Sequence, residues 1–298
     1  MGSLGLIPLT IDLLNDFAKH EGCIIGVCDA APVVLDATRF IPFVSRDNVK
    51  RSDPAASLPG AKSIVVVGVQ PKVGDFPTMP EGAGILSVLG ATEDYHIVVK
   101  ALLTRLVEEL QVHTNFRYKI LVDSPTLDER ALAVRAGLGF LGRNGLVISP
   151  EYGSRFNIGL LLTDIDILSL GKPQNVGCPS SCLSCINACP TGALSESDSS
   201  DASRCISYLT QKDNLTQEEA ILMGNHLYGC DLCQDVCPFN HPQPKAWANP
   251  GDWLSMSDDD FTNTYGHTAM LWRGTALLRR NAKLTIENKS YKTNSIAP

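Results

Sequence analysis

Eight of the ten cysteines in this 298-residue chain fall between Cys178 and Cys237, and no other feature restricts its folding so strongly. The segment opens C-P-S-S-C-L-S-C-I-N-A-C-P (Cys178–Pro190), continues through an isolated Cys205, and closes with C-D-L-C-Q-D-V-C-P (Cys230–Pro238). Iron–sulfur loops of the bacterial ferredoxin type run C-x2-C-x2-C-x3-C-P, with the fourth cysteine ligating the other cluster. The pattern occurs twice here. Cys178, Cys182, Cys185 and Cys189 form the first copy, with one extra residue in the first gap. Cys205, Cys230, Cys233 and Cys237 form the second, with a long insert after its first cysteine. Exchange of the fourth ligand then assigns Cys178, Cys182, Cys185 and Cys237 to one [4Fe–4S] cluster, and Cys205, Cys230, Cys233 and Cys189 to the other. Disulfides and zinc are the competing uses of such cysteines. Zinc explains four ligands per site but not two x3-Cys-Pro endings.

The rest of the chain has the composition of a globular protein, 44% hydrophobic and 19% charged. No apolar run reaches the ~18–20 residues that span a bilayer. The N-terminus lacks a basic stretch followed by an apolar one, so the expected location is the reducing cytoplasm. A net charge of −7 gives no overall sign of a nucleic-acid groove.

Helical spacing of Leu9, Leu13, Leu14 and Phe17 predicts a helix over 9–22, capped by Gly22. Strands are expected at Cys23–Cys28 and Lys62–Gln70, the latter a nearly continuous β-branched run. A second amphipathic helix spans Tyr95–Gln111, and Tyr118–Val122 is a further core strand. After Asp123, Ser124 and Pro125 read as the cap and first residue of a helix that Gly137 ends. Strands over Phe140–Ser149 and Ile158–Ile165 follow. This alternation indicates an α/β core, a sheet layer covered by helices. Pro71–Gly84 reads as a loop, Gly171–Asn175 as a boundary, Ser195–Ser203 as an acidic linker, 216–227 as a helix, and Leu271–Leu284 as the core of a C-terminal helix. Gly137, Gly139 and Gly142 follow a helix rather than a strand, so they make only a weak phosphate cradle. Pattern alone therefore gives a two-cluster redox protein with an α/β domain of unidentified cofactor.

Several segments together resemble one family. They are K-R-S-D-P (Lys50–Pro54), L-P-G-A-K-S-I-V-V-V (Leu58–Val67), D-Y-H (Asp94–His96), V-D-S-P-T-L-D-E-R-A-L-A-V-R-A-G-L-G-F-L-G-R-N (Val122–Asn144), P-E-Y-G-S (Pro150–Ser154), C-I-S-Y-L-T (Cys205–Thr210) and G-N-H-L-Y-G-C-D-L-C-Q-D-V-C-P-F-N (Gly224–Asn240). The family is that of the epoxyqueuosine reductases, iron–sulfur enzymes of tRNA modification related to the reductive dehalogenases. The resemblance implies an α/β (α+β) cobalamin-binding domain with a nitroreductase-like sheet at 1–170, a ferredoxin-like domain with two [4Fe–4S] clusters at 171–245, and a short helical segment at 246–298. It implies base-off cobalamin contacted by Arg51, Ser87, Asp123, Val147, Pro150 and Leu161. Asp123 would be the proton donor, with its pKa raised by burial over an apolar corrin face; the alternative role for it is only to cap the helix that Pro125 starts. His96 would face the substrate and Lys212 a tRNA phosphate. Family members extend past this C-terminus with helical repeats that help to hold tRNA, so the resemblance is to a C-terminally short member.

The expected function is reduction of epoxyqueuosine to queuosine in tRNA by a monomer that receives electrons from a small redox protein and has no membrane association. The alternatives are a corrinoid-dependent reductase of a small non-tRNA substrate, and an electron-transfer protein in which Asp123 is only a helix cap.

Overall fold

The computed structural model describes residues 11–35, 42–44, 47–167, 176–196 and 201–294. The boundary expected at Gly171–Asn175 and the centre of the acidic linker lie outside the described residues. The chain forms two compact units. One comprises residues 1–38, 43–70 and 96–182, the other residues 39–42, 71–95 and 183–298.

The first unit is built on strands β1 (Ile24–Asp29), β2 (Ser63–Val69), β4 (Tyr118–Val122) and β7 (Asn157–Thr163), in the order β1-β2-β7-β4. Every neighbouring pair is antiparallel. Residues of a strand alternate between the two faces, and β2 is apolar on both. Val65 and Val67 pack with helices α1 (Ile11–Glu21) and α3 (Tyr95–Gln111). Ile64 and Val66 pack with helix α4 (Glu129–Arg135) on the opposite face. Covering both faces makes burial of each such aliphatic side chain worth about 1.5–3 kcal/mol, which is why β2 reads as a continuous apolar run. Two glycines let the helices approach closely. A Cβ on Gly159 would lie 2.4 Å from Val99 Cγ1 of α3, and one on Gly26 only 2.2 Å from the carbonyl oxygen of Ala136 behind α4.

Two local expectations are corrected. Helix α4 starts at Glu129, not at Pro125; its N-cap is Asp128, whose Oδ1 accepts the Ala131 N–H at 3.1 Å. Pro125 disfavours helical geometry in the residue before it, and the Ser124 hydroxyl instead accepts the Thr126 N–H at 3.2 Å, closing a local turn. Gly137 ends the helix at φ 85° as expected. The strand expected over Phe140–Ser149 is a tight pair, β5 (Phe140–Leu141) and β6 (Val147–Ile148), reversing through Gly145 at φ 76°. The five-residue helix α2 (Asn48–Ser52) carries Arg51.

The second unit holds a three-stranded sheet ordered β8-β3-β9, from β8 (His226–Tyr228), β3 (Gly84–Leu86) and β9 (Ala246–Ala248). Such short strands carry too few residues for a readable period, and β3 begins on the last residue of the expected Pro71–Gly84 loop. Around them lie α5 (Ser184–Asn187), α6 (Ile206–Leu209), α7 (Gln217–Leu222) and α8 (Leu232–Asp235). The helix expected at 216–227 stops at Leu222; Gly224 adopts φ 60° and β8 begins. Helices α9 (Pro250–Ser255), α10 (Asp258–Tyr265) and α11 (Thr275–Asn294) enclose fully buried Trp253 and Phe261, whose rings stand edge to face with centroids 5.6 Å apart. Gly274 at φ 82° breaks the expected Leu271–Leu284 helix, leaving a 3-10 turn over Ala269–Arg273 ahead of α11.

Candidate iron–sulfur and active-site residues

The two cysteine loops share a local design. In each, a one-turn helix lies between the second-last cysteine and the final Cys-Pro: α5 starts just before Cys185 and α8 just before Cys233. The Cys189 N–H donates to the carbonyl of Ile186, and the Cys237 N–H to that of Gln234, both at 3.2 Å. The extra residue of the first loop is taken up in a turn closed by the Cys182 N–H on the Pro179 carbonyl at 2.9 Å. The x3 spacing is thus absorbed locally. Arg143 holds that turn from the β5–β6 side, donating to the Ser180 carbonyl at 3.1 Å.

Within the second unit the thiols expected to share a cluster feel one another. Burial pushes Cys230 up to about 12, with Cys205, Asp231 and Cys189 adding like charge. Burial raises Cys233 further, reinforced by Cys230, Cys205 and Cys185, and Cys205 is raised by burial and by Cys189. Cys189 is the exception. Burial opposes its ionisation, but the Thr191 hydroxyl and the backbone N–H groups of Leu194, Thr191 and Ala193 hold it below the ordinary thiol value. Burial and mutual repulsion oppose ionisation of these thiols, and the positive charge of an iron–sulfur core would favour it. Cys185 and Cys237 are buried, and the other six are partly exposed.

The second focus lies at the end of β4. Asp123 follows the last strand residue with φ 49°, left-handed backbone in a non-glycine residue. Its Oδ2 lies 3.7 Å from Nε2 of His96, in the first turn of α3; the side chains are 68% and 42% exposed, respectively. Because α4 is capped by Asp128, the reading of Asp123 as that helix's cap is excluded. The exposure also means that the protein alone does not bury the Asp123 carboxyl. Below the turn is a residue that sequence reading missed. Glu129 Oε1 accepts the Ser124 N–H at 2.8 Å, and burial pushes its carboxyl up to about 8. In D-S-P-T-L-D-E-R, Asp128 and Glu129 are both acidic, and only the start of the helix decides which one caps and which one turns under the loop.

Arg51, 7% exposed on α2, faces Asp128 at 3.9 Å. Its Nε is buried and, among the described residues, lacks a hydrogen-bond partner, as does Nδ2 of Asn144. Val147 is buried in the α4-side core, whereas Pro150 is exposed. Leu161 lies on the central strand β7. It is fully buried, paired through its backbone to Val65 and Ile120, with its side chain in the α1/α3 core. In the second unit Ser87 is buried with its Oγ accepting the Gly90 N–H at 3.1 Å, and the Lys212 ammonium is held by Glu219 at 2.6 Å. Among the described residues no helix is long and apolar enough to cross a membrane.

Two ferredoxin-type cysteine loops in one chain with a helix-covered antiparallel sheet define an iron–sulfur oxidoreductase. A model of the 4Fe-4S double cluster binding domain matches residues 178–240, which decides against zinc and disulfides. A model described as epoxyqueuosine reductase QueG, DUF1730, matches residues 51–124. The chain is 37% identical to the epoxyqueuosine reductase of Bacillus subtilis (strain 168) over 274 residues, 86% of this chain and 70% of that protein. It belongs to the epoxyqueuosine reductase family. A crystal structure of epoxyqueuosine reductase with an epoxyqueuosine-modified tRNA-Tyr stem loop superposes with TM-score 0.83 at 33% identity, covering 93% of this chain and 80% of that one. The Bacillus subtilis enzyme with its aspartate catalytic loop swung out of the active site gives TM-score 0.81 at 32% identity, covering 93% and 82%.

Proposed function

We propose that this protein reduces epoxyqueuosine to queuosine in tRNA, with Asp123 as proton donor and with electrons delivered through its two [4Fe–4S] clusters. The Asp123–His96 pair at the end of β4 carries the reading, supported by family membership. In this reading residues 1–170 form the cofactor and substrate domain on a nitroreductase-like sheet, 171–245 the cluster domain and 246–298 a helical segment. The enzyme acts as a cytoplasmic monomer supplied by a small redox protein.

Removing an epoxide oxygen as water takes two electrons and two protons and leaves an alkene. Cobalamin, when bound base-off, would supply the strongly reducing centre that this step needs. The first unit suits such a group. Among the described residues Arg51 Nε and Asn144 Nδ2 are buried donors without acceptors, a condition costing about 1–3 kcal/mol each, and the carboxamide oxygens around a corrin are acceptors. Arg51, Val147 and Pro150 would hold the group. Asp123 would give a proton to the departing oxygen, and His96 would orient its carboxyl. Bound cofactor and substrate would supply the desolvation that the protein does not. Lys212 would meet a phosphate only by exchanging its Glu219 partner.

The test is anaerobic reconstitution with iron, sulfide and cobalamin, followed by turnover on epoxyqueuosine in tRNA and as the free nucleoside. Conversion in tRNA is expected. Failure to bind cobalamin refutes the cofactor assignment, and preference for the free nucleoside refutes the tRNA assignment.

A further inference from the structure

We propose that Glu129 is a positioning residue for Asp123: its carboxyl gathers the backbone N–H groups of the Asp123–Ser124 turn and so fixes the left-handed conformation that sets the Asp123 carboxylate against His96. The inference rests on the reading of Asp123 as proton donor.

An aspartate at φ 49° is in a region that costs an ordinary L-residue about 1–2 kcal/mol, so something must hold it there. The Asp123 side chain is too exposed to be held by packing. The turn is held from beneath instead. The Ser124 N–H donates to Glu129 Oε1 at 2.8 Å, and the Asp123 N–H interacts with the same carboxyl. Glu129 is itself anchored as the first residue of α4. Behind it, Asp128 caps the helix, its N–H donates to the Arg51 carbonyl at 3.2 Å, and its carboxylate lies 3.9 Å from both Arg51 and Arg130. Arg130 in turn donates to the Gly145 carbonyl at 3.0 Å. Around the turn Ser124 and Thr126 share a 2.7 Å hydroxyl contact. The clamp therefore connects a rigid helix start to a strained catalytic turn.

The charged groups around Glu129 are Asp123 and Asp128 on its own turn, Arg130 on α4 and Arg51 on α2, both facing Asp128, and His96 on α3, facing Asp123. The two arginines engage Asp128, and burial with two neighbouring carboxylates raises Glu129. A neutral Glu129 still accepts N–H bonds through its carbonyl oxygen. Gln at this position keeps that acceptor, Ala removes it, and Asp falls one methylene short of the turn.

The reconstituted chain should be compared as wild type, E129Q, E129D and E129A. Hydrogen–deuterium exchange of the peptide spanning residues 119–127 reads the clamp, and steady-state turnover reads its catalytic consequence. Faster exchange in E129A and E129D, but not in E129Q, is expected. E129A should also lower kcat about 100-fold, the scale of a 1 Å misplacement, with KM and cobalamin content unchanged, and E129Q should recover most of that loss. If E129A does not fold, E129D gives the same two readouts. Wild-type exchange in both E129A and E129D overturns the clamp, and faster exchange with wild-type kcat overturns its positioning role. Should wild-type enzyme fail to turn over epoxyqueuosine, the proposed function fails, and the exchange measurement still decides the clamp.

Discussion

Replacing Asp123 by three different residues separates its chemistry from its backbone geometry. At φ 49°, Asn occupies the left-handed region nearly as readily as Asp, so D123N removes the acid and keeps the turn. D123A removes the acid and adds a left-handed penalty of roughly 1–2 kcal/mol. D123G removes the acid and the penalty together. A positioned general acid contributes about 10²–10⁴-fold, or ~2.7–5.5 kcal/mol of barrier. With 68% of the side chain exposed and His96 3.7 Å away in a half-open pair, little folding energy rides on the carboxylate. All three variants should lose about the same rate, 10²–10⁴-fold, while only D123A loses Tm, by roughly 2–8 °C. The assay is single-turnover conversion in tRNA by pre-reduced, fully loaded enzyme, read by nucleoside mass spectrometry, alongside thermal melts. If D123N retains turnover within about tenfold of wild type, which lies below the general-acid range, Asp123 is not the proton donor.

Cys233→Ala should halve the iron bound on reconstitution and abolish one cluster's electron paramagnetic resonance signal while leaving the other; full iron content would show that Cys233 is not a ligand. Gly26→Ala drives a methyl group into the Ala136 carbonyl, 2.2 Å from its ideal position, and should cost about 1–3 kcal/mol in denaturant unfolding by forcing α4 from the sheet; an unchanged midpoint would contradict that packing. Glu129 is raised from 4.5 to about 8 in the folded chain. The unfolded state therefore holds fewer protons between those pH values, and stability should fall as pH rises through that window and level off above it. Unfolding curves of E129Q, which lacks this titration, should show a shallower decline; parallel curves would mean that Glu129 titrates normally.

The unequal legibility of the chain follows from the range of the interactions involved. The double-cluster domain was readable because iron–sulfur binding fixes residue type and spacing within a few positions. Even the extra residue after Cys178 is resolved locally, in the Pro179–Cys182 turn. The long elements β2 and α3 were readable because their apolar patterns are imposed by burial along their own length, whereas β4, expected as a core strand, is an edge strand with no fully buried residue. Three things were not. The start of α4 depended on Asp128 outcompeting Ser124 for a cap, and both are good caps in isolation. Strand β3 exists because β8 and β9, more than a hundred residues later, supply its hydrogen-bond partners. The complete burial of Leu161 is set by neighbouring strands and two helices.

The sequence by itself determined that this chain carries two iron–sulfur loops and a helix-covered sheet, since spacing and periodicity are local properties. Only the tertiary structure decided that the sheet is antiparallel, that Asp123 is strained and exposed rather than a cap, and that Glu129 turns beneath it. Those depend on which distant backbone groups and carboxylates meet, and hydrogen bonding and burial between segments far apart in the chain leave no periodic trace in either one.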